Sequence, residues 1–249
     1  MRYLTTGILC FVSIFLFGCS PVDQLKSQLE KNICSLGYIH DSEQITNKLP
    51  STIFVENTVV EQDLPEELVV ILEKTDTMYL IIAAWQNHEF SCQLGKTVLV
   101  EEPASFITDS IKAELERSGW LSLTDTKSNA DFVLTPRLLR CGSQLIYKQN
   151  FTAAGYSSIY EFSASPSVAA VSIAMNLSKD EATLIEEDFK AVVTTPYPVT
   201  GPGSSADVSR NCVENMAESF SMAIKDCVEQ IVKKINENKQ QLSGDSEKV

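Results

Sequence analysis

The last third of the chain carries the feature that most limits its fold. Val208, Cys212, Met216, Phe220, Ala223, Cys227, Ile231 and Ile235 recur every three or four residues and form one continuous apolar stripe. That spacing belongs to a helix with one buried face. Ser204 or Ser205 caps it, and the pattern holds to about Asn238. A second helix starts at Pro103-Ala104-Ser105, carries Phe106, Ile107, Ile111 and Leu115 at helical spacing, and stops at Gly119.

Between and around these helices the pattern is that of strands. Residues 120–123, 132–134, 145–147, 159–162, 168–177 and 184–193 are β-rich runs, with 147–158 read as a long loop. Pro136 places the run at 132–134 on an edge or beside a bulge. Val171, Ile173 and Met175 alternate with Ser172 and Ala174, which suits a sheet covered on one face. The order predicts an α+β fold: a mainly antiparallel sheet with two helices on one face and a long C-terminal helix. A smaller β-rich region precedes it, with strands at 53–55, 68–72, 79–85 and 97–100. There Thr75-Asp76-Thr77 turns a hairpin, or else Pro65-Glu66-Glu67 starts a helix through Lys74.

The first twenty residues state an address. Arg2 precedes an apolar run from Leu4 to Phe17 that ends at Gly18-Cys19-Ser20, as a secretory signal does. The run is too short to span a bilayer, which takes roughly 20 apolar residues. Leu16-Phe17-Gly18-Cys19 resembles the lipobox of bacterial lipoproteins. That resemblance implies diacylglycerol transfer to the Cys19 thiol, cleavage before Cys19 and acylation of the new amine. Ser20, rather than Asp, follows the cysteine; by the family's rules this sends a Gram-negative protein to the inner leaflet of the outer membrane, facing the periplasm. The expected divisions are 1–18 signal peptide, 19–50 anchor, short helix and linker, 51–96 β-rich region, 97–238 main domain, and 239–249 disordered tail. The short helix covers 20–36, with Val22, Leu25, Leu29, Ile33 and Leu36 on one face and Gly37 at its end.

Twenty Lys+Arg against 33 Asp+Glu give a formal charge of −13, which disfavours nucleic acid and anionic lipid head groups as general partners. Beyond Cys10 and Cys19 lie Cys34, Cys92, Cys141, Cys212 and Cys227. In an exported protein these five allow two disulfides and a leftover thiol; equally, several are buried free thiols acting as small hydrophobes. Cys212 and Cys227, on one helix, stand about 22 Å apart and cannot pair with each other.

Phe106-Ile107 through Leu115, Ser118-Gly119-Trp120 and Ala130-Asp131-Phe132-Val133-Leu134 resemble a pattern in small periplasmic lipoproteins. Auxiliary lipoproteins of ABC-type lipid transport systems and the lipopolysaccharide-assembly lipoprotein share that layout, over residues 97–236. Those proteins bind partner proteins and sometimes lipid, and are not enzymes.

A search for catalytic chemistry finds little. His40 and His88 are the only histidines; His88, Phe90 and Cys92 share a strand face, but no HExxH or second histidine supports a metal there. Glu186 and Asp188 share a face in a strand and read as a solvated edge. Gly201-Pro202-Gly203-Ser204-Ser205 precedes a helix and reads as plain helix initiation. Asn150-Phe151-Thr152 and Asn176-Leu177-Ser178 fit glycosylation sequons by chance. No cofactor motif occurs. The expectation is therefore an exported, lipid-anchored accessory protein that docks on envelope transport or assembly machinery. Its partner patch is expected around Tyr147, Phe151, Tyr156, Ile159 and Tyr160. A structural envelope protein cross-linked through disulfides is the alternative, and an envelope hydrolase ranks last.

Overall fold

A computed structural model of the chain describes residues 20–80, 82–154, 156–195, 199–200 and 205–238. The expected signal peptide at 1–18, Cys19, residues 201–204 and the tail expected at 239–249 lie outside the described residues.

Among the described residues, three α-helices pack against a mixed sheet of ten strands. Helix α1 is Pro21–Leu29, α2 is Pro103–Ser118 and α3 is Ser205–Glu237. All eight residues of the α3 stripe are buried, each such aliphatic or aromatic side chain contributing about 1.5–3 kcal/mol. The strands are β1 (Thr52–Val55), β2 (Val59–Val60), β3 (Val69–Leu80), β4 (Ala83–Gln93) and β5 (Ser122–Leu123). They continue as β6 (Phe132–Ala154), β7 (Ser157–Ala164), β8 (Val168–Lys179), β9 (Ala182–Thr194) and β10 (Val199–Thr200).

Strand β6, 23 residues long, is the spine, and its two halves have different neighbours. Along 133–144 it pairs antiparallel with β8, whose other edge takes β9. The opposite edge of that half takes β1 and then β2, both parallel. Along 144–154 it pairs antiparallel with β4 on one edge and, from Tyr147, with β7 on the other. Strand β3 closes the β4 side. The covered half lies under α2 and α3; in the outer half, β3–β4 and β6–β7 form two hairpins that stand side by side.

Several expectations are corrected. The sheet is mixed rather than mainly antiparallel, because β1 pairs parallel with both β5 and β6, and β2 pairs parallel with β6. Among the described residues three α-helices, not two, pack on it. Strands from 51–96 belong to this same sheet. The hairpin turn falls between Leu80 and Ala83, and Thr75, Asp76 and Thr77 sit mid-strand opposite His88, Asn87 and Gln86. A helix from Pro65 through Lys74 is replaced by β3. Residues 97–100 form no strand; a 3-10 turn covers Lys96–Val98 instead. The expected loop at 147–158 is the end of β6 and its turn into β7. Helix α1 ends at Leu29, which leaves Ile33 66% exposed.

Pro136 does not end β6. It lies where the neighbouring edge is interrupted, between Leu134, paired with β1, and Arg137, paired with β2. A residue without an N–H is tolerated at such a gap. Gly95 fills a close backbone approach: a Cβ there would sit 2.2 Å from the Glu67 carbonyl carbon.

Candidate interaction surface

The two hairpins build a four-stranded blade beyond the helices. Its rungs follow from the registers. Leu80, Ala83, Ala154 and Ser157 form the outermost, followed inward by Tyr79, Ala84, Ala153 and Ser158. Next come Met78, Trp85, Thr152 and Ile159, then Thr77, Gln86, Phe151 and Tyr160. Successive rungs point to opposite faces. No Asp, Glu, Lys or Arg occurs between Asp76 and Glu89 or between Lys148 and Glu161, in a chain with 53 such residues (20 + 33). Charge returns at the base, where Lys74 pairs with Asp76 at 2.6 Å and Lys148 with Glu89 at 2.9 Å.

The blade exposes large apolar side chains. Met78, Tyr79, Leu80, Ile82, Tyr156, Ile159 and Tyr160 are all exposed, Ile82 to 78%. β-branched and aromatic residues in both hairpins favour the strand conformation without needing a covered face. Elsewhere, single exposed apolar residues are ordinary, whereas a contiguous group of this kind marks a contact surface.

Of the residues expected to form a patch, Phe151, Tyr156, Ile159 and Tyr160 lie on the blade. Phe151 and Tyr160 share one face, Ile159 lies on the other, and Tyr156 sits at the tip. Tyr147 is corrected: it is 1% exposed, packed between Phe90 and Phe162 under the helices. Burial raises its phenol to about 12. Its place on β6 opposite Ala164 puts it on the helix-covered face, a matter of register that local hydrophobicity does not reveal. Sequence reading missed the first hairpin's share of the surface, from Met78 to Trp85. The signal was there: the uncharged stretch between Asp76 and Glu89.

The start of the described chain lies beside the blade. Ser20 accepts a hydrogen bond from the Asp23 N–H at 3.4 Å and so caps α1. Pro21 and Gln24 share a 250 Å³ cavity with Gln149, Tyr160 and Phe162. Further along, the Ser205 hydroxyl donates to Gln28 Oε1 at 2.6 Å and the Gly37 N–H to Ser221 Oγ at 3.1 Å. Residues 28–37 thus run beside α3 in its own direction, and tracing back from Gln28 to Ser20 leads past the start of α3 onto the blade.

All five described cysteines are free thiols, with Cys92, Cys141, Cys212 and Cys227 buried and Cys34 half-buried. The candidate disulfides among them are not formed. Burial pushes Cys92, Cys141 and Cys227 up to about 12 and raises Cys212 too, so each behaves as a small hydrophobe. His88, Phe90 and Cys92 do share a buried face, but His88 Nδ1 is bonded to Thr75 Oγ1 at 2.9 Å, and burial holds its ring below the usual histidine range. Among the described residues no group of three or more His, Cys, Asp or Glu is placed to hold a metal. Glu186 lies near Arg137 on the uncovered face with Asp188, while Glu187 points the other way to Lys234 at 2.7 Å.

His40 belongs to a separate polar cluster. Glu114, buried on α2, accepts from Ser118 Oγ at 2.5 Å and Tyr38 Oη at 3.1 Å, and lies 3.1 Å from His40 Nδ1. Burial works against its charge, but these hydrogen bonds prevail and hold the carboxyl below its ordinary value. The cluster ties the segment at 38–42 to α2.

No family model and no curated protein matches the chain. Among solved structures, a Xanthomonas campestris protein of the DUF330 family is 12% identical, with a TM-score of 0.45, covering 84% of this chain and 98% of that one. A second, described as a homolog of neuraminyllactose-binding hemagglutinin from Helicobacter pylori, is 12% identical with a TM-score of 0.37, covering 83% and 97%. Neither likeness is close enough to place this chain in a family.

Proposed function

We propose that the chain is an exported, lipid-anchored accessory protein, held through Cys19 on the inner leaflet of the outer membrane, that binds envelope transport or assembly machinery. The single observation that carries the binding role is the blade: an uncharged, partly apolar four-stranded extension on a protein of charge −13. Scaffold and extension have separate tasks in this reading. The core under α2 and α3 holds the hairpins rigid, and Phe151, Ile159 and Tyr160 offer apolar area to a partner on both blade faces.

The test is affinity purification from gently cross-linked native membranes, with and without reductant, comparing the wild type with Ile159→Ser/Tyr160→Ser. The same transport or assembly subunits should be recovered with either buffer and lost with the variant. Recovery only of thiol-linked envelope proteins would favour the cross-linked structural role. A partner set unchanged by the variant would remove the blade from the mechanism.

A further inference from the structure

The end of the blade has properties that a protein partner does not require. Both of its faces are free of charge over four rungs, a depth of about 14 Å at 3.4 Å per residue. A lipid interface surrounds the end of a sheet from all sides and so suits a tip that is uncharged on both faces. The side chains suit such a phase. Leu80, Ile82 and Met78 are aliphatic or thioether, and Tyr79, Tyr156 and Trp85 are the amphipathic aromatics enriched where hydrocarbon meets water. The first charged positions, Asp76 and Glu161, lie on the rung behind Phe151 and Tyr160 and mark where immersion must stop. The position of the chain's start matches. Pro21 lines a cavity with Tyr160 and Phe162, so the described chain, which begins at Ser20 just after Cys19 in sequence, starts beside the blade.

We infer that the outer rungs of the blade, with Tyr79, Leu80, Ile82 and Tyr156 at their end, dip into the interface of a lipid bilayer as a second membrane contact. The inference rests on the lipid-anchor reading for the protein's place at a bilayer. An acyl anchor alone leaves a domain free to tumble on its tether; an apolar blade beside it fixes the orientation. The lipid engaged is zwitterionic, because the acidic body is repelled by anionic head groups and the blade offers no cation to offset that. Interfacial segments settle about 5–10 Å into the head-group and acyl boundary, which immerses about two rungs and brings Trp85, on the third, to the boundary itself.

The chain's two tryptophans make the test direct, since Trp85 is on the blade and Trp120 follows α2. The full acylated protein carrying Trp120→Phe is reconstituted into phosphatidylcholine vesicles whose acyl chains are brominated near the head group. Its N-terminal mass is measured on the same sample. Trp85 emission should shift to the blue and be mostly quenched. Both effects should be lost when Tyr79, Leu80, Ile82 and Tyr156 are all replaced by Ser, with the far-ultraviolet spectrum unchanged. An acylated, vesicle-bound protein whose Trp85 is unquenched overturns the inference and leaves the anchor intact. If the mass shows no acylation, the anchor reading fails; quenching on vesicle addition then still supports the lipid contact, and its absence overturns that as well. Cross-links from a photoreactive residue at Leu80 to protein alone, never to lipid, also overturn it.

Discussion

Phe151 and Tyr160 stand directly opposite each other on β6 and β7, their ring centroids 4.7 Å apart at an interplanar angle of 41°. Tyr160 is in turn stacked with Phe162 at 6.3 Å, and Phe162 lies 6.4 Å from the buried Tyr147. One row of aromatic rings thus runs from the core out along the blade. The pair, half-buried Phe151 and exposed Tyr160, is tied to the packing under the helices, which makes the blade an extension of the core rather than a loose loop.

The two ends of that row should respond differently to truncation. Tyr147→Ala removes a ring from a fully packed site and should destabilise by about 3–5 kcal/mol. Tyr160→Ser should cost roughly 1 kcal/mol or less, because the ring is largely in water and only its pair contacts are lost. Urea unfolding of the two variants checks the contrast.

Thiol reactivity should follow burial. In the native protein at pH 8, Cys34 should react first with a thiol reagent, although burial and the nearby Glu214 raise its thiol somewhat. Cys92, Cys141, Cys212 and Cys227 should react only when the protein unfolds. Mass spectrometry of the labelled native chain would show this. Rapid labelling at Cys212 or Cys227 would mean that α3 does not stay docked.

Glu114 gives acid sensitivity with a definite sign. Its carboxyl lies below the ordinary value in the folded protein, so its contribution is full above the unfolded pKa of about 4.3 and fades as pH falls through the folded value. Glu114→Gln should be less stable than the wild type at pH 7, by about 1–3 kcal/mol, since charge-assisted bonds to a buried group are weakened. The gap should close as the pH drops below 4. Denaturant titrations across that range measure it.

The turn between β8 and β9 stores a removable strain. Asp180 and Glu181 have φ of 48° and 65°, joining Lys179 to Ala182 as a two-residue hairpin loop. Two consecutive left-handed residues are the geometry that Asn-Gly supplies without penalty. Glu181→Gly, alone or with Asp180→Asn, should therefore raise stability by about 1 kcal/mol, read as an increase in Tm.

The legible parts of the fold were those with a local period. The stripe from Val208 to Ile235, the helix ending at Gly119 and the alternation about Ile173 each describe one face of one element; the first two are found as read, while Ala174, on the other face of β8 from Ile173, is buried as well. What escaped depends on pairing at a distance. Thr75-Asp76-Thr77 has the composition of a turn, yet its cross-strand partners hold it extended; the true turn, between Leu80 and Ala83, has no Gly, Pro, Asn or Asp to announce it. Parallel pairing of β1 and β2 with β6 links residues about eighty apart and leaves no local mark. The patch was found in part for the same reason. Exposure of Tyr156, Ile159 and Tyr160 follows from their being in a projecting hairpin, while Tyr147, only four residues before Phe151, lies on the same face but under the helices.

The most direct test of the central claim is site-specific photo-cross-linking in living cells. A photoreactive residue is placed at Ile159, at Tyr160 and, as a control, at Val192, which is 71% exposed on β9 away from the blade. The predicted result is cross-linking from Ile159 and Tyr160 to a subunit of an envelope transport or assembly machine, with none from Val192. Cross-linking from Val192 to such a subunit, with Ile159 and Tyr160 silent, would contradict it and move the binding surface to the uncovered face of the sheet.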